Sequence, residues 1–239
     1  MPALATGQRL QHMSLQHSPR IITDGLVLCL DAASRESYPG SGTVWTDLAG
    51  SNNGTLTNGP TFSSVNGGSI VFDGSDDYGY IEANSPAFNF GTSPFSIEVW
   101  AYLSDENASY FKTILSIGTY EDGILFRHQP EDDAFYIAGV TWDWNCATVM
   151  PQGVWRHLVI TKQGSNVKIY ANGVLVFSET NAPLDVTPIT PDSHIAASSH
   201  NTAEVWPGNI STYRVYNGKA LTPVEILQNY NATKGRYNL

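Results

Sequence analysis

Residues 167–177 read VKIYANGVLVF. Two alternating runs flank Asn172-Gly173, and an Asn-Gly pair supplies the two positive φ angles of the type I′ turn that joins adjacent antiparallel strands. The stretch is a β-hairpin, and its neighbours repeat the theme. Short segments rich in β-branched and aromatic residues, each bounded by Gly, Asn, Asp, Ser or Pro, recur from residue 26 to about 216. The pattern predicts further strands near 26–31, 42–47, 69–73, 78–82, 95–103, 112–117, 123–128, 134–140, 154–162, 193–198 and 205–216. So many short strands imply an all-β, two-sheet antiparallel sandwich, because stacking two sheets is how such a chain buries one face of each.

Strand 95–103, FSIEVWAYL, carries bulk on both faces. Phe95, Ile97, Val99, Ala101 and Leu103 alternate with Glu98, Trp100 and Tyr102, and a face open to water would not hold that second set. Two readings follow: loops cover the second face, or it floors a concave groove lined with aromatics. Strand 154–162 is similar, with Trp155 and His157 opposite Arg156 and Leu158. One helix is expected, at about 222–234. Thr222 is an N-cap, Pro223 suits the first helical position, Glu225 completes a capping box and Gly235 ends the segment against the sandwich rim.

The composition excludes several function classes. Twelve Lys and Arg against 22 Asp and Glu give a net charge of −10. With the basic residues scattered, direct nucleic-acid binding is not expected. No run of about 20 apolar residues exists to span a bilayer. Residues 1–20 are polar, lack the apolar stretch of a secretory signal, and read as a flexible or partner-ordered arm ahead of one domain at 21–239. Cys29 and Cys146 are too few for a disulfide framework, and Cys29 sits in the apolar run LVLCL as a buried thiol.

Residues 72–81, FDGSDDYGYI, place Asp73, Asp76 and Asp77 within five positions. Clustered carboxylates are what calcium requires, and Asp and Gly are equally what a turn between strands requires. The EF-hand spacing is absent. So are a Gly-x-Ser-x-Gly elbow and a phosphate-cradling glycine loop. Glu98 stands without the second carboxylate that glycoside hydrolysis needs, and is read as a hydrogen-bonded strand residue. Aromatic residues in turn-rich stretches are the remaining signal: Trp142, Asp143, Trp144 and Asn145 in WDWN, with Tyr120 and Trp206. They suit a sugar ring, a subunit interface or the capping of this domain's own core.

GLVLCLDA (25–32), SIVFDGSDDYGYI (69–81), FSIEVWAYL (95–103), GVWRHLVITKQGSNVKIYANG (153–173) and GNISTYRVYNGKALTPVEILQNY (208–230) together resemble the concanavalin A-like, laminin G-type jelly rolls. The resemblance spans nearly the whole chain after residue 20 and implies a jelly-roll sandwich with a short C-terminal helix. SYPGSGTVWTDLAGSNNGTLTNGPTF (37–62) and LQNYNATKGRY (227–237) further resemble versions found in virion proteins of tailed bacteriophages. That implies a non-enzymatic structural protein exposed on a phage particle as decoration, fibre or adhesion component, made in the host cytoplasm without a signal peptide. Its implied partners are other virion proteins, docked through the arm within an oligomeric assembly, and host-surface glycan. The alternatives are a capsid or tail cement protein without glycan binding, or a carbohydrate-active enzyme. The family often carries calcium on the Asp-rich hairpin, which makes Asp76 and Asp77 the metal candidates; the acid that many relatives add near the last long strand is replaced here by Ser211.

Overall fold

The computed structural model describes residues 20–82, 85–104, 111–118, 123–130, 134–139, 142–146, 150–180, 193–199 and 203–239. Its strands in the first half of the chain are β1 (Leu26–Asp31), β2 (Val44–Trp45), β3 (Gly54–Thr57), β4 (Thr61–Ser63), β5 (Ser69–Asp73), β6 (Tyr78–Ile81), β7 (Phe95–Leu103) and β8 (Lys112–Ile117). The second half adds β9 (Ile124–Gln129), β10 (Ala134–Gly139), β11 (Trp142–Asn145), β12 (Trp155–Gln163), β13 (Asn166–Ala171), β14 (Val174–Glu179), β15 (Ser193–Ile195) and β16 (Pro207–Asn217). They form two eight-stranded sheets. The first runs β14-β13-β12-β7-β16-β5-β4, with β1 also paired to β16, and the second runs β11-β10-β9-β8-β15-β6-β3-β2. Together they make the expected all-β sandwich.

The core lies between the sheets because alternation aims one set of side chains from each strand inward. Ile97, Val99 and Leu103 of β7 meet Phe126, Phe135 and Ile137 of the second sheet in one buried cluster. The hairpin at 167–177 forms as its sequence dictates: β13 pairs with β14 across Asn172 (φ 51°) and Gly173 (φ 81°). Cys29 and Cys146 are both buried free thiols.

The helix α1 (Pro223–Thr233) starts on the expected capping box: Glu225 N donates to Thr222 Oγ1 at 3.3 Å, and Thr222 N donates to Glu225 Oε2 at 2.8 Å. Two expectations need correction. Gly235 does not end the segment but lies inside a 3-10 turn, Lys234–Tyr237, that extends it. Nor does the helix sit on the rim; it lies across the outer face of the first sheet. Trp100 Nε1 donates to Thr233 Oγ1 at 2.9 Å, and the Tyr237 ring stacks on Trp100 at 4.0 Å. Ile226 joins Val159, Tyr170, Tyr216 and Leu221 in a second buried cluster. Over Glu98 and Trp100 the bulk on the second face of β7 is thereby explained by a helix rather than by loops or an open groove.

The chain ahead of β1 is tied to that helix. Ile22 N donates to Asn229 Oδ1 at 2.8 Å, and Gln228 Nε2 donates to the Arg20 carbonyl at 2.8 Å. Residues 1–19, nearly the whole of the arm, lie outside the described residues.

Where β16 enters the sheet, Gly208 (φ 154°) brings its backbone against β7 so closely that a Cβ there would lie 2.0 Å from the Tyr102 carbonyl oxygen. Backbone cannot yield as a side chain does. Gly208→Ala is therefore expected to cost about 2–3 kcal/mol, a melting midpoint lower by roughly 5–10 °C, read by thermal circular dichroism.

Candidate functional site

The outer face of the second sheet carries a cross-strand row of polar and aromatic side chains. Tyr136 alternates with the core residues Phe135 and Ile137, so it faces outward. Register places Asn145 of β11 beside Tyr136 of β10, Tyr136 beside Arg127 of β9, and Arg127 beside Thr113 of β8. Side chains directly opposite on neighbouring strands touch, so a row spanning four strands acts as one surface.

The contacts bear this out. Asn145 Nδ2 donates to Tyr136 Oη at 2.9 Å. The Phe111 ring meets Tyr136 edge to face at 6.0 Å, and the Arg127 guanidinium lies 3.6 Å above the centre of the Phe111 ring. Behind that cation, Glu204 Oε2 lies 3.5 Å from Arg127 Nη1 and accepts from Thr113 Oγ1 at 3.3 Å. Arg127 and Glu204 are buried, whereas Asn145 is exposed and Tyr136 and Phe111 are half-buried. The buried pair fixes the ring; the ring, the phenol and the amide meet solvent. Such a surface offers an apolar plane beside hydroxyl and amide groups, the complement of a sugar's C–H face and hydroxyl edge.

Further along the same face, His194 of β15 packs between Tyr78 and Tyr80 at ring distances of 5.2 and 5.5 Å. Register sets His194 beside Ser116 on one side and Tyr80 on the other.

The residues singled out from sequence divide. WDWN is not loop: it is β11, the edge strand of the second sheet, paired along its length with β10. Asp and Asn disfavour strands on average, but pairing and alternation override that preference here. Asn145 falls on the outward row. Trp144 turns the other way, half-buried against the core with its ring 6.5 Å from Phe177, so it caps the sandwich margin. Trp142 and Asp143 belong to β11, and their side chains lie outside the described residues, as does all of Tyr120. Trp206 is no surface residue at all. It is fully buried in the main core just before β16 and is lost to any ligand.

At the Asp-rich hairpin, the carboxylates of Asp73, Asp76 and Asp77 come within 4.8 Å of one another. Much of their hydrogen-bonding capacity serves the turn itself. Asp73 Oδ1 accepts from the backbone of Ser75 at 2.8 Å, which holds its carboxyl below its ordinary value, and Asp77 Oδ2 accepts from the backbone of Asp73 at 3.1 Å. Burial first, then the neighbouring Asp73 and Asp76 charges, push the Asp77 carboxyl up, a repulsion that a cation would relieve. The three would supply about half of a calcium shell. Ser211 is no part of it: β16 register puts Pro207 opposite Asp73, and Ser211 Oγ donates to the Gly68 carbonyl at 2.7 Å, four pairings away.

Glu98, the acid that a hydrolase reading would need, is sealed under the helix at 0% exposure. Arg214 Nη1 contacts its Oε1, and Asn229 Nδ2 donates to Oε2 at 2.6 Å. His157 Nε2 lies 3.0 Å from Oε1. Burial alone would raise this carboxyl; the Arg214 charge, then His157 and Asn229, overcome it and hold the group at about 2.

A sequence family described as the concanavalin A-like lectin/glucanases superfamily (Laminin_G_3) matches residues 73–227. The chain belongs to this superfamily. No curated protein sequence matches it. Among solved structures, this superfamily member is similar to domain 4 of AbnA, a GH43 extracellular arabinanase from Geobacillus stearothermophilus, in complex with arabinotriose. The two are 19% identical with a TM-score of 0.67, over 86% of this chain and 98% of that one. It is also similar to Trypanosoma rangeli sialidase in complex with sialic acid, at 13% identity and a TM-score of 0.69, covering 89% of this chain but 33% of the sialidase. The binding domain of Paraclostridial Mosquitocidal Protein 1 is 15% identical, with a TM-score of 0.68, over 88% of this chain and 52% of that one. At such identities the likeness is one of fold. The superfamily member spans a third of the sialidase and about half of the toxin domain.

Phe111, Arg127, Tyr136 and Glu204 were not singled out from sequence. The signal lay in alternation: AFYIAG (134–139) sets Tyr136, and ILFRHQ (124–129) sets Arg127, on the face opposite core residues.

Proposed function

We propose that this chain is a non-enzymatic carbohydrate-binding domain on the surface of a tailed-phage particle, serving as decoration, fibre or adhesion component. It contacts host-surface glycan through Asn145, Tyr136 and Phe111. The observation that carries this reading is the exposed amide and the half-buried phenol and ring held in one row by the buried Arg127–Glu204 pair. The phage setting rests on the resemblance of residues 37–62 and 227–237 to virion proteins. The arm at residues 1–20 is the segment we assign to docking on another virion protein, and many copies on one particle would turn weak sugar affinity into avidity. Glu98 supports a non-enzymatic role, because a carboxylate under a helix and ionised against Arg214 can neither reach a sugar nor deliver a proton near neutral pH.

Calcium belongs to the same proposal. Asp73, Asp76 and Asp77 would hold the ion, which would neutralise the repulsion at the hairpin. A glycan array probed with the full chain, with and without calcium, tests both parts. Binding to host polysaccharide or to arabinan fragments is expected. Silence across the array in both conditions would leave the purely structural cement role, and equal binding with calcium or chelator would remove the ion.

A further inference from the structure

On the opposite sheet the aromatic stack under the helix runs out toward solvent and ends in a groove. Trp100, Tyr237 and Trp155 pack in sequence, with ring centres 4.0 Å apart for Trp100 and Tyr237 and 4.7 Å for Tyr237 and Trp155. Tyr102 follows at 5.6 Å from Trp155, but here the helix no longer covers the sheet. A cavity of about 290 Å³ opens between Tyr102 and Trp155 on the floor and Asn209, Ser69 and the turn at Val65-Asn66 on the walls. That volume is at the lower end of the range for small-molecule sites.

We propose that this groove binds one or two residues of a neutral saccharide, as a second site on the face opposite the first. Its chemistry sets the class. Among the described residues, aromatic rings, carboxamides and hydroxyls line it and no charged side chain does, so an anionic sugar finds no counter-charge there. Asn209 Nδ2 donates to Ser69 Oγ at 2.9 Å, which leaves its carboxamide oxygen to accept from a sugar hydroxyl. In the amide orientation that satisfies both ends, Asn66 accepts from Trp155 Nε1 at 2.7 Å and donates to the Arg236 carbonyl at 3.3 Å. That clamp holds the indole in place, and a pre-ordered ring loses little freedom on binding. The wall is a tight turn in which Asn66, Gly67 and Gly68 all take positive φ. Val65 is 66% exposed at the lip and adds apolar surface beside the rings.

The site shares ligand chemistry with the row on the second sheet but none of its residues, so the two can fail separately. The test is an NMR titration of the full chain with arabinotriose, maltotriose, cellotriose and mannotriose at millimolar concentration. The Trp155 indole N–H signal, assigned with Trp155→Phe, is the reporter. At least one probe is expected to shift it saturably. Tyr102→Ala and Asn209→Asp should weaken that response at least tenfold in chains that still melt cooperatively, while Tyr136→Ala leaves it intact. Tyr102→Phe, which keeps the ring, should retain most of it. No indole shift with any of the four probes would overturn the proposal, and so would a response abolished by Tyr136→Ala yet untouched by Asn209→Asp.

Discussion

Removal of residues 222–239 is expected to abolish cooperative folding. The helix and the 3-10 turn after it are the lid of the first sheet: without them Trp100, Trp155, Val159 and Tyr216 would face water. Fully burying one such side chain is worth about 1.5–3 kcal/mol, so losing cover over several equals the 5–15 kcal/mol by which a whole domain is stable. Glu98 would at the same time lose its Asn229 donor. Differential scanning calorimetry should show no sharp transition in the truncated chain. A truncation that melts within about 5 °C of the full chain would mean that the helix is an ornament rather than part of the fold.

Arg214→Met carries the second large effect. It leaves Glu98 buried without its main counter-charge, and breaking one side of a buried pair costs about 3–5 kcal/mol. At roughly 2–4 °C per kcal/mol for a chain of this size, the midpoint should fall by about 10 °C or more. The double variant Glu98→Gln with Arg214→Met should cost less than the sum of the single ones, because the orphaned charge has gone. The same pair sets the acid limit. Glu98 is held at about 2 in the folded chain against an ordinary 4.5, so its folded pKa is depressed. Its stabilisation, about 3 kcal/mol, is complete above pH 4.5 and is lost as pH falls from 4.5 toward 2. Stability curves over that window should therefore be steeper for the wild type than for Glu98→Gln; parallel curves would contradict this origin.

The sequence showed some of these features because local chemistry decides them. Asn172-Gly173 admits the left-handed turn whatever surrounds it, and Thr222 with Glu225 caps a helix wherever that helix docks. The two-faced bulk of 95–103 revealed that something covers Glu98 and Trp100, but only the assembled fold shows a helix from more than 120 residues away doing so. Trp206 misled for the same reason. A tryptophan among turn residues is equally compatible with surface and core, and the entry of β16 into the sheet turned it inward. The candidate site was the least visible part. Asn145, Tyr136, Arg127 and Thr113 come from four strands, and only register makes them neighbours.

Register also says which measurement is decisive for glycan recognition by the second sheet. The strongest oligosaccharide from the array should be titrated calorimetrically into the wild type, Tyr136→Ala and Asn145→Ala, with Tyr102→Ala as a control on the opposite face. Affinity is predicted to fall at least tenfold in the first two variants, with melting nearly unchanged, and heat from the second sheet's site to persist in the control. Undiminished affinity in both Tyr136→Ala and Asn145→Ala would contradict it.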